Sequence, residues 1–185
     1  MPTILLLGGA PGTGKSTLAH RWADARPLTL VLDVDRIRGL LGAWQDDVGA
    51  AGLRARRLAV AAAWAQLEAG GDVVVPQLLT RPELADELDG LATVAGARFV
   101  EVVLTAEPDD LARRLAARIG ARPPDGDADP WSALEGEPTV ERLTELTAAV
   151  DAYAATRPGT LRITSVPGDV DATLARLTSA VATSG

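Results

Sequence analysis

The chain has 185 residues, 47% of them hydrophobic, and a net charge of −7. That is enough for one domain with an ordinary core across residues 1–185, and too apolar for a disordered chain. No stretch approaches the ~20 uninterrupted apolar residues of a membrane span, the absence of cysteine excludes a disulfide framework or thiolate metal site, and a pI near 4.7 argues against a nucleic-acid binder relying on a broad basic surface.

The first predicted element is a buried strand over Thr3–Leu7, an unbroken apolar run. The stretch after it, Gly8 to Thr17, reads G-G-A-P-G-T-G-K-S-T. Gly9, Gly14, Lys15 and Ser16 fit G-x-x-x-x-G-K-[ST], the phosphate-binding P-loop signature, and Ser16–Ala25 can follow as a helix. A triphosphate is multiply anionic. Successive backbone N–H groups across Gly9, Ala10, Pro11, Gly12, Thr13, Gly14, Lys15, Ser16 and Thr17 can surround it, except at Pro11, which has no N–H. Glycines at 9, 12 and 14 permit the positive φ angles and close approach that such a nest needs, and the helix start adds its positive dipole end. Lys15, the only lysine of the chain, would reach the β- and γ-phosphates, and the Ser16 hydroxyl would hold Mg²⁺. ATP and Mg²⁺ are thus the expected ligands.

A second strand is predicted over Leu28–Leu32, closed by Asp33-Val34-Asp35, with a helix opening at Asp35. Gly42–Gly52 reads as a loop or broken helix, and Leu53–Ala69 as a helix capped by Gly70-Gly71. Asp72–Val75 is a third strand ended by Pro76. Arg81–Ala95 is helical, Arg98–Leu104 a fourth strand, and Pro108–Ile119 a helix that begins acidic and ends basic. Gly120–Pro138 is rich in Pro, Gly and Asp. Thr139–Thr156 is a helix, Thr160–Thr164 a fifth strand and Val170–Val181 the last helix.

This alternation predicts an α/β three-layer sandwich, a five-stranded parallel sheet with helices on both faces. Ligands in such sheets sit at the carboxyl ends of the strands. That marks Gly8–Ser16, Asp33–Arg38, Gln77–Arg81, Thr105 and Thr164–Gly168 as site candidates.

On the P-loop and the order of elements, the chain resembles the small P-loop kinases of the nucleoside-monophosphate-kinase-like fold. It looks closest to the subgroup of chloramphenicol phosphotransferase, the zeta toxins and the polynucleotide 5′-hydroxyl kinases. The resemblance implies that an aspartate after the second strand takes the proton of an acceptor hydroxyl and that an arginine three residues on holds the acceptor. Here D-x-x-R falls on Asp35 and Arg38. The competing reading of Asp35 is a helix cap, and Asp33 is its rival as base, or a carboxylate that holds the water shell of Mg²⁺. The resemblance also implies a mobile lid, about residues 118–138, whose arginines close over the phosphates. Arg118 and Arg122 are the candidates, while Arg113 and Arg114 read as a solvated stripe. Nucleoside-monophosphate kinases often carry an aspartate after the third strand and an arginine four residues on. Pro76-Gln77 replaces the acidic position, leaving Gln77 and Arg81 as acceptor contacts.

Other residues read more plainly. His20 is a surface or packing residue, Trp22 and Trp64 are core, Trp44 and Trp131 flank the mouth of the sheet, and Arg54, Arg56 and Arg57 are an exposed helix face. The leading expectation is an ATP-dependent phosphotransferase acting on a small-molecule hydroxyl in the cytoplasm, without nucleic-acid or membrane partners. The alternatives are a polynucleotide 5′-hydroxyl kinase, disfavoured by few stacking aromatics, and a non-catalytic ATP-binding switch. A GTPase would want N-K-x-D where this chain reads Thr105-Ala106-Glu107-Pro108, and an oligomeric AAA+ motor a larger module.

Overall fold

The computed structural model of the chain describes residues 1–121 and 138–184. Its elements alternate as read from the sequence: β1 Thr3–Gly9, α1 Lys15–Asp24, β2 Leu30–Val31, α2 Val34–Gly39, α3 Val48–Glu68, β3 Val73–Gln77, α4 Glu83–Ala95, β4 Arg98–Thr105 and α5 Pro108–Gly120. The remaining described elements are α6 Val140–Ala155, β5 Leu161–Thr164 and α7 Val170–Thr183. The expected α/β sandwich is what forms. All five strands are parallel, in the order β2-β3-β1-β4-β5. β2 and β3 lie on one side of β1, and β4 and β5 on the other. The winding therefore changes side at β1, whose carboxyl end is where such folds bind ligands.

β1 shows why the sheet is covered on both faces. Its residues 4–7 are wholly inaccessible, and successive side chains point to opposite faces. Ile4 and Leu6 join the core built with α3, α4 and α6; Leu5 and Leu7 join the core built with α1 and α7. Each such leucine or isoleucine contributes roughly 1.5–3 kcal/mol on burial. α3 meets the sheet through an alanine stripe, Ala51, Ala55, Ala59 and Ala63 at every fourth residue, which lets a 21-residue helix lie close. A third cluster joins Ala10 of the P-loop to Leu111 and Leu115 of α5 and Leu143 and Leu146 of α6. The loop is thus held from below by apolar packing.

Several local boundaries differ from expectation, each for an identifiable reason. β2 is two residues long, not five: Leu28 has φ +63° and is 90% exposed, so the chain enters the sheet only at Leu30. Pro76 does not end β3. It lacks an N–H, yet the strand continues through it to Gln77, paired with Gly8 of β1. α3 begins at Val48 rather than Leu53 because the Asp47 carboxylate accepts from Ala50 N–H at 2.9 Å and caps it. α4 begins at Glu83, with Pro82 at its N-cap.

Candidate active site

The loop after β1 takes the conformation its glycines permit. Gly9, Gly12 and Gly14 have φ of 143°, 86° and 92°. At Gly9 a Cβ would also stand 2.7 Å from the carbonyl oxygen of Leu104 on β4, so no side chain fits. Gly8, still in β1, is required by close approach: a Cβ there would meet Leu79 Cδ1 at 2.6 Å. The segment after β3 is therefore pressed against the start of the loop.

Within the loop the Ala10 carbonyl is a hub. It accepts from the Thr13 hydroxyl at 2.8 Å, Thr13 N–H at 3.3 Å and Lys15 Nζ at 2.9 Å. Thr13 is 1% exposed, so its side chain shapes the turn rather than facing a ligand. The first intrahelical bond of α1 runs from Leu18 N–H to the Gly14 carbonyl at 2.9 Å, leaving the N–H groups of Lys15, Ser16 and Thr17 unused by the helix. Gly14 offers no side-chain cap and the first turn holds no acid, whereas α2, α3, α6 and α7 are all capped by Asp or Thr. An anion is what this helix start lacks.

The Asp33–Arg38 segment lies directly across from α1. Asp33, not Asp35, is the N-cap of α2: its Oδ1 accepts from Asp35 N–H at 3.0 Å and Arg36 N–H at 3.3 Å, while Oδ2 accepts from the Ser16 hydroxyl at 3.4 Å. The cap reading of Asp35 fails on this geometry. Its carboxylate makes a 3.0 Å ion pair with Arg38 Nη1 instead. Arg38 is 9% exposed, its guanidinium lies 4.9 Å from the Trp44 ring centroid, and its Nε has no hydrogen-bond partner. Burial pushes the Asp35 carboxyl above its ordinary range; Arg38, Lys15 and Arg56 oppose the shift, and Asp33 adds to it.

Burial likewise lowers the Lys15 ammonium to about 8, with Arg118 pushing the same way and Asp35 and Asp33 opposing. Arg118, exposed on α5, is thus within electrostatic reach of Lys15. Arg122 and Trp131 lie outside the described residues, as does most of the lid segment. Arg114 is not a solvated stripe residue: it is half-buried, and Nη1 donates to Ser165 Oγ at 3.2 Å in the loop after β5. Arg113 pairs with Asp110.

Gln77 and Arg81 line a cleft of about 200 Å³ with Arg56, Thr80 and Glu83. Of the three arginines read as a helix face, Arg54 and Arg57 are exposed, but Arg56 turns toward this cleft. Sequence reasoning missed it. The one signal was its place in the helical register, one residue beyond the buried Ala55. His20 is exposed and Trp22 buried, as expected. Trp64 is only half-buried, because α3 turns its alanines rather than Trp64 to the sheet.

A free Lys15 that burial keeps partly neutral makes a direct prediction. The charged form is the one disfavoured, so the folded value lies below the unfolded 10.5, and stability of the ligand-free protein rises with pH between about 8 and 10.5. Because the chain has one lysine, lysine-selective NMR should show one side-chain signal titrating near 8. Adding Mg·ATP should move that midpoint up and, near pH 8, draw roughly half a proton from buffer. A midpoint near 10.4 in the free protein would remove the burial argument.

A P-loop at the carboxyl end of the central strand, facing an aspartate-bearing helix across the sheet order 2-3-1-4-5, defines a nucleoside-triphosphate-binding P-loop domain of the small-kinase fold. The chain belongs to the AAA domain family, whose model matches residues 4–134. Among solved structures it is similar to a protein named a putative kinase from Chloroflexus aurantiacus. The TM-score is 0.63 with 19% identity over 100% of this chain and 98% of the other. It is also similar to a gluconokinase from Sinorhizobium meliloti, with TM-score 0.53 and 18% identity over 98% of this chain and 96% of that one. At these identities the likeness is one of fold. No curated protein matches the chain in sequence.

Proposed function

We propose that the protein is an ATP-dependent phosphotransferase that moves a γ-phosphoryl group to a hydroxyl of a small molecule. The observation that carries this reading is the position of Asp35. Its carboxylate is released from capping by Asp33 and is fixed by Arg38 beside the P-loop lysine.

In this reading the N–H groups of the loop and of the α1 first turn bind the phosphates, and Lys15 leaves the Ala10 carbonyl for the β- and γ-oxygens. Ser16 and Asp33 are both hard oxygen donors, and they stand 3.4 Å apart. That pair fits Mg²⁺, which keeps several waters and takes one or two protein oxygens beside those of substrate phosphates, so the absence of a cluster of three or more metal-binding side chains among the described residues is no obstacle. Bound there, the ion would neutralise charge on the phosphates. Asp35 accepts the proton of the attacking hydroxyl, Arg38, Gln77 and Arg81 position the acceptor, and Arg118 with Arg122 stabilises charge on the group in flight.

No helix among the described residues is long and apolar enough to cross a membrane. The test is ATP turnover against a panel of antibiotics, sugars, sugar acids, nucleosides and 5′-hydroxyl oligonucleotides, with mass spectrometry for added phosphate. A phosphorylated small molecule is expected. A phosphorylated oligonucleotide instead would move the assignment to a polynucleotide kinase, and tight ATP binding without any product would favour a regulatory switch.

A further inference from the structure

Asp35 is half-buried, and among the described residues its carboxylate has one partner, the Arg38 guanidinium. Whatever fixes Arg38 therefore fixes the candidate base. Arg38 is also the one arginine that is buried among the described residues, and a buried cation is costly unless its surroundings match it.

The edge of the guanidinium is matched only in part. Nη1 pairs with Asp35 at 3.0 Å, while Nε finds no hydrogen-bond acceptor among the described residues. The ion pair anchors one corner of a planar group and leaves the plane free to swing about it. A carboxylate held by a swinging partner swings with it.

The missing constraint lies on the flat face. The Trp44 ring centroid is 4.9 Å from the guanidinium carbon, inside the roughly 6 Å over which a ring quadrupole attracts a cation. Indole exerts the strongest such attraction, and it is worth more on a desolvated cation. Trp44 lies past the end of α2, so the chain must turn back to lay the ring against that helix. It does so at Ala43, whose φ is +51°, in a turn closed by Asp46 N–H on the Ala43 carbonyl at 3.1 Å. A Cβ disfavours that left-handed conformation, and a strained residue beside a candidate site is a pointer to function. General apolar collapse does not explain the turn, because Leu40, just before it, is 84% exposed. Trp44 is drawn in over a cation.

Resting on the phosphotransferase reading, we propose that Trp44 is a positioning residue for the reaction: its ring fixes the plane of Arg38, and Arg38 in turn fixes the Asp35 carboxylate toward the acceptor hydroxyl. This role involves no contact with the nucleotide. Its loss is felt in kcat and not in the KM for Mg·ATP.

Three substitutions separate the role from plain packing. Trp44→Phe keeps an aromatic face, Trp44→Leu keeps apolar bulk without one, and Trp44→Ala removes both. The first readout needs no turnover. It is the NMR signal of Arg38 Nε–H, assigned by its loss in Arg38→Lys, together with the Hα–Hβ couplings of Asp35. Wild type and Trp44→Phe should show a ring-shifted, slowly exchanging Nε–H and a single Asp35 rotamer. Trp44→Leu and Trp44→Ala should show neither. The second readout is ADP release from Mg·ATP with water as acceptor. There kcat should fall about 10- to 100-fold in Trp44→Leu and Trp44→Ala, the order expected of a displaced catalytic group, with most of the rate back in Trp44→Phe. Leucine that restores both readouts as well as phenylalanine does would reduce Trp44 to packing and overturn the inference. Wild-type signals and rate in Trp44→Ala would overturn it as well. Asp35→Asn keeps the two readings apart. Slow ADP release in Asp35→Asn beside a wild-type rate in Trp44→Ala leaves the base and removes the positioning role. A wild-type rate in Asp35→Asn, or no ADP release from the wild type, counts against the phosphotransferase reading, and the NMR signals alone then decide whether Trp44 holds Arg38.

Discussion

Asp35→Asn should lower kcat by about 10²- to 10⁴-fold, the span of a lost general base, while the Kd for Mg·ATP stays within a factor of a few. The substitution keeps the shape of the side chain and an oxygen for Arg38, so what disappears is the capacity to take a proton. Asp33→Asn is the informative companion. Asp33 spends one oxygen on the α2 cap and turns the other to Ser16. Its loss of charge should therefore raise the Mg²⁺ concentration needed for half-maximal rate rather than abolish proton transfer, and leave Tm nearly unchanged, because asparagine caps a helix as well as aspartate does. The wild-type pH profile adds an independent check. Burial raises the Asp35 carboxyl, which is active when ionised, so activity should be lost on acidification at a pH above the ordinary carboxylate value of about 3.9. Full turnover in Asp35→Asn would transfer the base role elsewhere. Asp33 would be the first place to look.

How much of this was legible in the sequence depended on how local the determining physics is. The P-loop could be read because a backbone nest demands glycine where φ is positive, and Gly9, Gly12 and Gly14 are all found there. The sheet could be read because a strand buried on both faces is an uninterrupted apolar run, as Ile4–Leu7 is. Which of two neighbouring aspartates caps α2 could not, since Asp33 and Asp35 are equally good caps by type, and the register of the helix against Ser16 decides between them. Arg56 could not either. On an alanine-rich helix the arginines at 54, 56 and 57 are alike until packing on the sheet fixes which direction is inward. Pro76 misled for a related reason. A proline costs a strand one donor, but Gln77 still finds its register beside Gly8.

The other large expected effect lies away from the chemistry and tests whether scaffold and site are separable. Arg157→Met should destabilise the protein by about 3–5 kcal/mol, the usual cost of leaving a buried charge without its partner. Glu101 on β4 is 6% exposed. Its Oε1 accepts from the Tyr153 hydroxyl at 2.6 Å and its Oε2 from Arg157 Nε at 2.7 Å, and Arg157 Nη1 reaches Asp86 on α4 at 2.5 Å. One guanidinium thus ties β4 to α4 across the residues that follow α6. Glu101 stands three residues before Leu104, the residue whose carbonyl crowds Gly9, so this tie steadies the strand against which the P-loop is shaped. Urea unfolding should give the loss directly, and adding Glu101→Gln to Arg157→Met should recover much of it, because the stranded charge is then gone while Tyr153 keeps an acceptor. Below the lowered transition the Kd for Mg·ATP should be unchanged, since the P-loop, α1 and Asp33 groups assigned to the phosphates and Mg²⁺ make no contact with Glu101, Arg157 or Asp86. A loss under about 1 kcal/mol would mean that water reaches Glu101 through the cleft it lines with Thr160 and takes the place of the arginine. A stable variant that binds ATP poorly would mean instead that β4 transmits its position to Gly9, and that the nest owes its shape to a network on the far side of the sheet.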